Sequence, residues 1–234
     1  ARGDFGQSFS QHMPVIAVLR AQAPPTLALM AASLAVAWLL ALLSVVPTAR
    51  RGMAGAIAST LETISAGLPQ FWLGILLLWG LAFEWRLLPP AGNHGLPALV
   101  LPTLSLAIPL AGFIAQVMRE SFDLALDQPF ILTARARGLG DGAIRLRHAL
   151  RHALLPCISL STWAVGALVG NAVAIEIIFS RQGLGRELFL SVATHDMPLV
   201  SGIVLFIALT YILAGLAADT LIALVDPRLK GTRP

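Results

Sequence analysis

Five apolar stretches, each long enough to cross a lipid bilayer, constrain this chain more than any other feature. They cover residues 25–46, 57–83, 99–118, 156–179 and 198–225. A helix needs roughly 20 apolar residues to span the hydrocarbon core. In lipid, each backbone N–H and C=O must be satisfied within its own segment, which leaves the helix as the solution for an open chain. The expected fold is therefore all-α, a polytopic membrane protein with about five transmembrane helices. Charged residues make up 12% of the chain, against about 25% in soluble domains.

Prolines and glycines punctuate these stretches. Pro24 and Pro25 suit the first turn of a helix, where a missing N–H is harmless. Gly67 and Pro69 predict a kink in the second span, and Pro102 and Pro109 lie inside the third. Gly166 and Gly170 form a GxxxG spacing that lets helices approach closely. The single cysteine, Cys157, sits in an apolar run and reads as packing.

Loop charge sets the orientation. Arg50, Arg51, Arg119, Arg135, Arg137, Arg145, Arg147, Arg151, Arg228, Lys230 and Arg233 fall on one side. Arg2, Arg20, Arg86, Arg181 and Arg186 fall on the other. The positive-inside rule places the richer side, with the C-terminus and the loop 119–155, in the cytoplasm. This accounts for the basic balance without nucleic acid. Residues 1–24 then form an external segment, 25–226 the transmembrane domain and 227–234 a cytoplasmic tail. An external start that is neither signal peptide nor span predicts one more helix upstream of Ala1.

The loop 119–155 carries helix punctuation of its own. Asp127 can cap a short helix over 130–137, with Pro129 in its first turn, and Gly138 can end it in a left-handed conformation. Asp141 can cap a second helix. There Ala143, Leu146, Leu150, Ala153 and Leu154 share one face, and Arg145, His148, Arg151 and His152 another. A short helix, a glycine turn and a basic helix entering a span make a bracket suited to receiving force from a soluble partner. His148 and His152 stand four residues apart but have no third metal ligand nearby.

Within this loop Thr133 to Leu139 reads T-A-R-A-R-G-L and Arg147 to Pro156 reads R-H-A-L-R-H-A-L-L-P, and on these stretches the chain resembles the inner-membrane permeases of ABC importers. Only Ala134 and Gly138 match that family's general E-A-A…G signature. Both stretches are similar to the dipeptide, oligopeptide and nickel branch. Gly3 to Gly6 (G-D-F-G), Leu68 to Gly74 (L-P-Q-F-W-L-G), the turn at Leu88, Pro89, Ala91 and Gly92, the proline-punctuated run from Leu101 to Gly112, Glu176 with Phe179, Gly183 to Arg186 (G-L-G-R), Asp196 with Pro198, Asp219, and Asp226 to Arg228 agree as well. Gln182 stands where that branch has proline and Met197 where it has tyrosine.

The resemblance implies the type I ABC importer permease fold, with six helices in the full-length protein. It implies a subunit that is not an enzyme and holds no cofactor, ATP and magnesium belonging to a partner ATPase. Independently, the only lysine, Lys230, is followed by Gly231, so the chain lacks a Walker A sequence. The implied partners are a second homologous permease, two cytoplasmic ATPase subunits, an extracytoplasmic solute-binding protein and the lipid of a bacterial inner membrane. Phe130, Leu132, Thr133, Ala134, Arg135, Arg137, Gly138 and Leu139 become the ATPase-coupling segment. Arg147, His148, Arg151 and Pro156 carry motion into the fourth span. Glu176, Phe179, Gly183, Gly185 and Arg186 become an outer gate or binding-protein contact, with Glu176 expected to pair with Arg181 or Arg186. The implied cargo is a peptide or related small solute, the alternative being nickel or a metal chelate. A secondary transporter predicts charges near the midplane, whereas Glu176 and Asp219 lie toward span ends. An intramembrane enzyme needs a polar pair inside the spans, and the five histidines, His12, His94, His148, His152 and His195, fall outside them.

Overall fold

The computed structural model describes residues 5–92 and 95–225. The expectations placed on Arg2, Gly3, Asp4, His94, Asp226, Pro227, Arg228, Lys230, Gly231 and Arg233 lie outside the described residues. Nine helices follow one another among those described: α1 (Val15–Thr48), α2 (Gly52–Gly67), α3 (Gln70–Leu77), α4 (Pro97–Leu126), α5 (Pro129–Ala136), the single turn α6 (Asp141–Ala143), α7 (Leu150–Ile178), α8 (Leu184–Ala193) and α9 (Met197–Val225). π-helical turns extend α3 over Leu78–Glu84 and lead into α7 over Ile144–Ala149. Four helices are long and apolar enough to cross a membrane, or five if the pair α2 and α3 counts as one span.

The span boundaries depart from the sequence reading in instructive ways. α1 begins at Val15, so Pro24 and Pro25 lie inside it rather than in its first turn. A proline in a helix removes the N–H that would bond four residues back. Here packing holds the turns before the prolines, since Val15, Val18, Leu19 and Ala23 are buried against Leu184, Leu199 and Ile203. Each valine, leucine or isoleucine among these contributes roughly 1.5–3 kcal/mol on full burial. At Leu68 and Pro69 the predicted kink is a break: α2 and α3 meet at 100°, because Leu68 and Pro69 are both extended. α4 runs eight residues past its predicted end, to Leu126. α7 passes through Pro156 instead of starting there.

The chain divides into two compact units. One draws on residues 1–34, 69–107 and 165–214, the other on 35–68, 108–164 and 215–234. Most of the α4 span is buried (72%) and little of the α9 span (17%), which makes α4 an interior helix and leaves α9 with an apolar outward face.

In the first unit, Asp196 ties the N-terminal segment to the start of α9. The Leu199 N–H donates to Oδ1 at 3.3 Å, a helix cap. Oδ2 accepts from the Ser8 hydroxyl at 2.5 Å, the Ser10 hydroxyl at 2.8 Å and the Ser10 N–H at 3.0 Å. Burial alone raises the Asp196 carboxyl, but these hydrogen bonds and one from the Phe9 backbone outweigh it and hold the group below the usual carboxylate range. A depressed folded-state pKa contributes stability above the unfolded value of about 3.9, and that stability is lost as pH falls through the folded value. Acidification below about pH 4 should therefore lower the melting temperature of the detergent-solubilised protein. An Asp196→Asn variant, already without this contribution, should show a flatter profile over the same range.

Candidate functional site

The residues singled out in the sequence gather into two sites, one in each unit. In the second unit, α5 starts with Pro129 at its first position and Gln128 as its cap, with no side-chain capping bond. Contrary to the sequence reading, Asp127 does not cap it; its carboxylate is taken by Arg50. Gly138 ends the helix as predicted, at φ +78°. Around it the Gly138 N–H donates to the Arg135 carbonyl at 2.9 Å and the Leu139 N–H to the Ala134 carbonyl at 3.2 Å, which satisfies the last carbonyls of the helix. A left-handed conformation strains any residue with a Cβ by about 1–2 kcal/mol. Gly138→Val should lower thermal stability in detergent by about that amount, whereas the neighbouring exposed Arg137→Ala should leave it unchanged.

Ile131 and Ala134 form the inward face of α5, at 1% and 5% exposure. Ala134 therefore packs within the chain, while Leu132, Thr133, Arg135, Arg137 and Leu139 are exposed. Phe130 is half-buried, its ring 4.9 Å from that of His152.

The second helix of the loop departs from the predicted amphipathic pattern. Its buried residues are Ile144, Arg145, Ala149, Ala153 and Cys157, and Leu146 is 59% exposed. The prediction assumed an α-helical period throughout. The wider π-helical turn over Ile144–Ala149 spaces the first buried apolar positions, Ile144 and Ala149, five residues apart rather than four and rotates Leu146 outward. Asp141 also fails to cap: Gly140 is the cap residue, and Asp141 lies in the first turn. Arg147 and Arg151 are exposed, as is Pro156, and His148 is half-buried.

Arg145, placed by sequence on a polar face, is one of the few buried charges. Its Nε donates to Asp141 Oδ2 at 2.9 Å. Its Nη1 and Nη2 donate to the carbonyls of Val46 and Ala49 at 2.9 and 2.7 Å. Those carbonyls lie at the C-terminal end of α1, where helix groups lack partners and a cation is favoured. A guanidinium has the donors to serve three acceptors at once.

Sequence reasoning also passed over Glu62, a carboxylate inside the second predicted span and 5% exposed. Arg119 on α4 meets it with both ends of a fork, Nε to Oε2 at 2.8 Å and Nη2 to Oε1 at 2.5 Å. The Ser44 hydroxyl donates to Oε1 at 2.5 Å, and Arg119 Nη2 also reaches the Thr48 hydroxyl at 2.9 Å. Gly112 permits the approach, since a Cβ there would lie 2.5 Å from the Glu62 carbonyl oxygen. The available signal was a lone carboxylate in an apolar run, which marks function or a buried partner by default.

In the first unit, Glu176 is fully buried. Its direct partners are not the arginine side chains expected from sequence. Oε1 accepts from the Thr26 hydroxyl at 2.6 Å and Oε2 from the Arg186 backbone N–H at 3.0 Å. Thr26 in turn accepts from the Leu184 N–H at 2.8 Å. The carboxylate therefore sits on the N-terminus of α8, where free N–H groups and the helix dipole attract an anion. Both glycines of G-L-G-R are explained by this contact. A Cβ on Gly183 would collide with the Glu176 carboxylate, and one on Gly185 would lie 2.7 Å from Val173 Cα. Phe179 is buried beside Gly74. Buried Arg181 points Nη1 at the Gly92 carbonyl, 3.5 Å away. Thr26, Gly170, Val173, Gly185 and Phe206 help to line an apolar cavity of about 90 Å³. Gly166, the other residue of the GxxxG spacing, faces the Tyr211 ring.

Among the described residues, no three His, Cys, Asp or Glu side chains group closely enough to hold a metal ion.

The family described as binding-protein-dependent transport system inner membrane component matches residues 33–231. The glutathione transport system permease protein GsiC of Pectobacterium atrosepticum is 32% identical over 231 residues, which cover 98% of this chain and 76% of that protein. The GsiC protein of Escherichia coli K12 is 30% identical over the same shares. Among solved structures, an inward-facing form of the MetNI methionine ABC transporter superposes with a TM-score of 0.73 at 19% identity, over 90% of this chain and 97% of that one. An amino acid ABC transporter with histidines gives 0.61 at 18%, over 91% and 94%. These likenesses show an ABC importer permease fold.

Proposed function

Because the chain belongs to the family of binding-protein-dependent transport system inner membrane components, we propose that it forms half of the pathway through which glutathione or another short peptide enters the cell. It is a multi-pass inner-membrane protein and a non-catalytic permease subunit of an ABC importer, a class that works with an ATPase and a binding protein. In the finer reading, two ATPase subunits dock from the cytoplasm, where the loop 119–155 and the C-terminus lie. A second, homologous permease completes the pathway. The observation that carries the cargo assignment is the similarity to glutathione permeases along 98% of this chain.

In this reading the exposed face of α5, with Leu132, Thr133 and Arg135, enters a cleft of the ATPase. Ala134 and Gly138 shape that face from behind, one by packing and the other by ending the helix. Glu176 holds α8 at the outer side, where the binding protein delivers its solute.

Uptake of labelled glutathione, a labelled dipeptide and nickel by cells with and without the gene tests the cargo. Loss of glutathione uptake, restored by a plasmid copy, is the expected result. Unchanged glutathione uptake with loss of either of the others would reassign the cargo.

A further inference from the structure

Between α5 and α7 the chain contains Gly138, Gly140 and Gly142, a link whose backbone is the most yielding a sequence can offer. Alone, such a link would absorb a displacement of α5 rather than pass it on. The structure braces it from the side. Arg50 and Arg51, adjacent residues in the turn between α1 and α2, hold both flanks of α5. Arg50 forks onto Asp127, just before the helix, with Nη1 to Oδ1 at 2.5 Å and Nη2 to Oδ2. Its Nε lies 3.8 Å from Asp123. Arg51 Nη2 donates to Asp141, just beyond the helix, at 3.0 Å. The same Asp141 oxygen accepts from Arg145, which is fixed to the end of α1 through Val46 and Ala49. The Arg50 guanidinium holds the Asp127 carboxyl below its usual range, so the pair stays charged at neutral pH.

We propose that Arg50 and Arg51 are positioning residues that make the α1–α2 turn a second mechanical attachment for α5. A displacement of α5 then enters α1 and α2 as well as α7. The inference rests on the reading of α5 as the segment that meets the ATPase. Both pairs are about half exposed, with side chains at 45% and 58% for Arg50 and Asp127 and at 52% and 49% for Arg51 and Asp141. Ion pairs that exposed contribute little to folding, so their substitution separates transmission from stability.

The test uses the full importer in liposomes, with its second permease, ATPase and binding protein. Two quantities are read: labelled glutathione taken up per phosphate released, and the distance between spin labels at exposed Met53 on α2 and exposed Ala136 on α5, a position outside the face assigned to the ATPase. Arg50→Asp, Arg51→Asp and Asp127→Arg should each cut uptake per ATP by about fivefold or more, with melting temperatures unchanged. The exchanged pair Arg50→Asp with Asp127→Arg should recover most of the loss. With arginines intact, the label distance should stay constant when ATP and vanadate trap the ATPase, and it should change in Arg50→Asp. This second arm needs no transported solute, so it is independent of the cargo.

Unchanged coupling in the single variants, an exchanged pair no better than either single, or a label distance that already shifts in the native protein would each overturn the proposal. Leu132→Asp on the outward face of α5 serves as the control. If it uncouples transport while the arginine variants do not, only the brace falls. If it too leaves coupling intact, the reading of α5 fails and the brace with it.

Discussion

Replacing Glu62 with alanine is expected to destabilise the protein by about 3–5 kcal/mol, because it strips Arg119, whose side chain is only 12% exposed, of its counter-charge. Arg119 would keep the Thr48 hydroxyl but lose both bonds of the fork. Arg119→Met should cost a similar amount by leaving the carboxylate without its counter-charge, with the Ser44 hydroxyl still donating to it. The informative variant is the double replacement Glu62→Leu with Arg119→Met. A buried pair exchanged for apolar groups of similar volume is often neutral or stabilising, so the double variant should be more stable than either single one. Melting of detergent-solubilised protein, followed by the fraction that stays monodisperse on heating, measures all three. Additive losses in the double variant would show that the two side chains act separately.

The second large effect concerns Glu176. Glu176→Ala leaves the Thr26 hydroxyl and the Arg186 N–H without their acceptor and opens a void below Gly183. Loss of a helix cap removes about 0.5–2 kcal/mol and each stranded buried donor about 1–3. A total near 3 kcal/mol is expected, concentrated in α8. Hydrogen exchange of the amides from Arg186 to Ser191 should quicken far more than that of α4. Glu176→Gln keeps one carbonyl acceptor and should recover part of the protection. If Gln behaved like the native residue, the charge at the helix end would be irrelevant and only the hydrogen bonds would matter. In either variant, weaker docking of the binding protein would link α8 to the outer face.

The helical class was legible because length and hydropathy decide it. α9 lies close to its expected place, and α4 starts close to its own, because their apolar runs are nearly continuous. The short helix α5 was legible for a different reason: Pro129 and Gly138 act locally, and a proline start and a left-handed glycine need no tertiary information. The misreadings share a cause. Asp127, Asp141 and Glu176 were each assigned a partner near in sequence, and each found one on another element. Arg145 looked like a surface charge because its acceptors are main-chain carbonyls, which leave no trace in side-chain patterns. The π-helical turn over Ile144–Ala149 turned Leu146 outward and Arg145 inward, and no periodicity rule for an α-helix anticipates such a turn. The early start of α1 was hidden by Pro24 and Pro25, whose local preference was overruled by packing around Val15 and Leu19.

The ion pair of α2 has a consequence for biogenesis. Glu62 leaves the ribosome 57 residues before Arg119. At a synthesis rate of about 5–20 residues per second, the carboxylate waits roughly 3–11 s for its partner. Throughout that interval a short helix ending at Gly67 has a bare acidic side chain and no arginine to meet it. Release into lipid at that stage is unfavourable. α2 should therefore linger at the insertion machinery until α4 emerges, and the two should enter the bilayer as a pair.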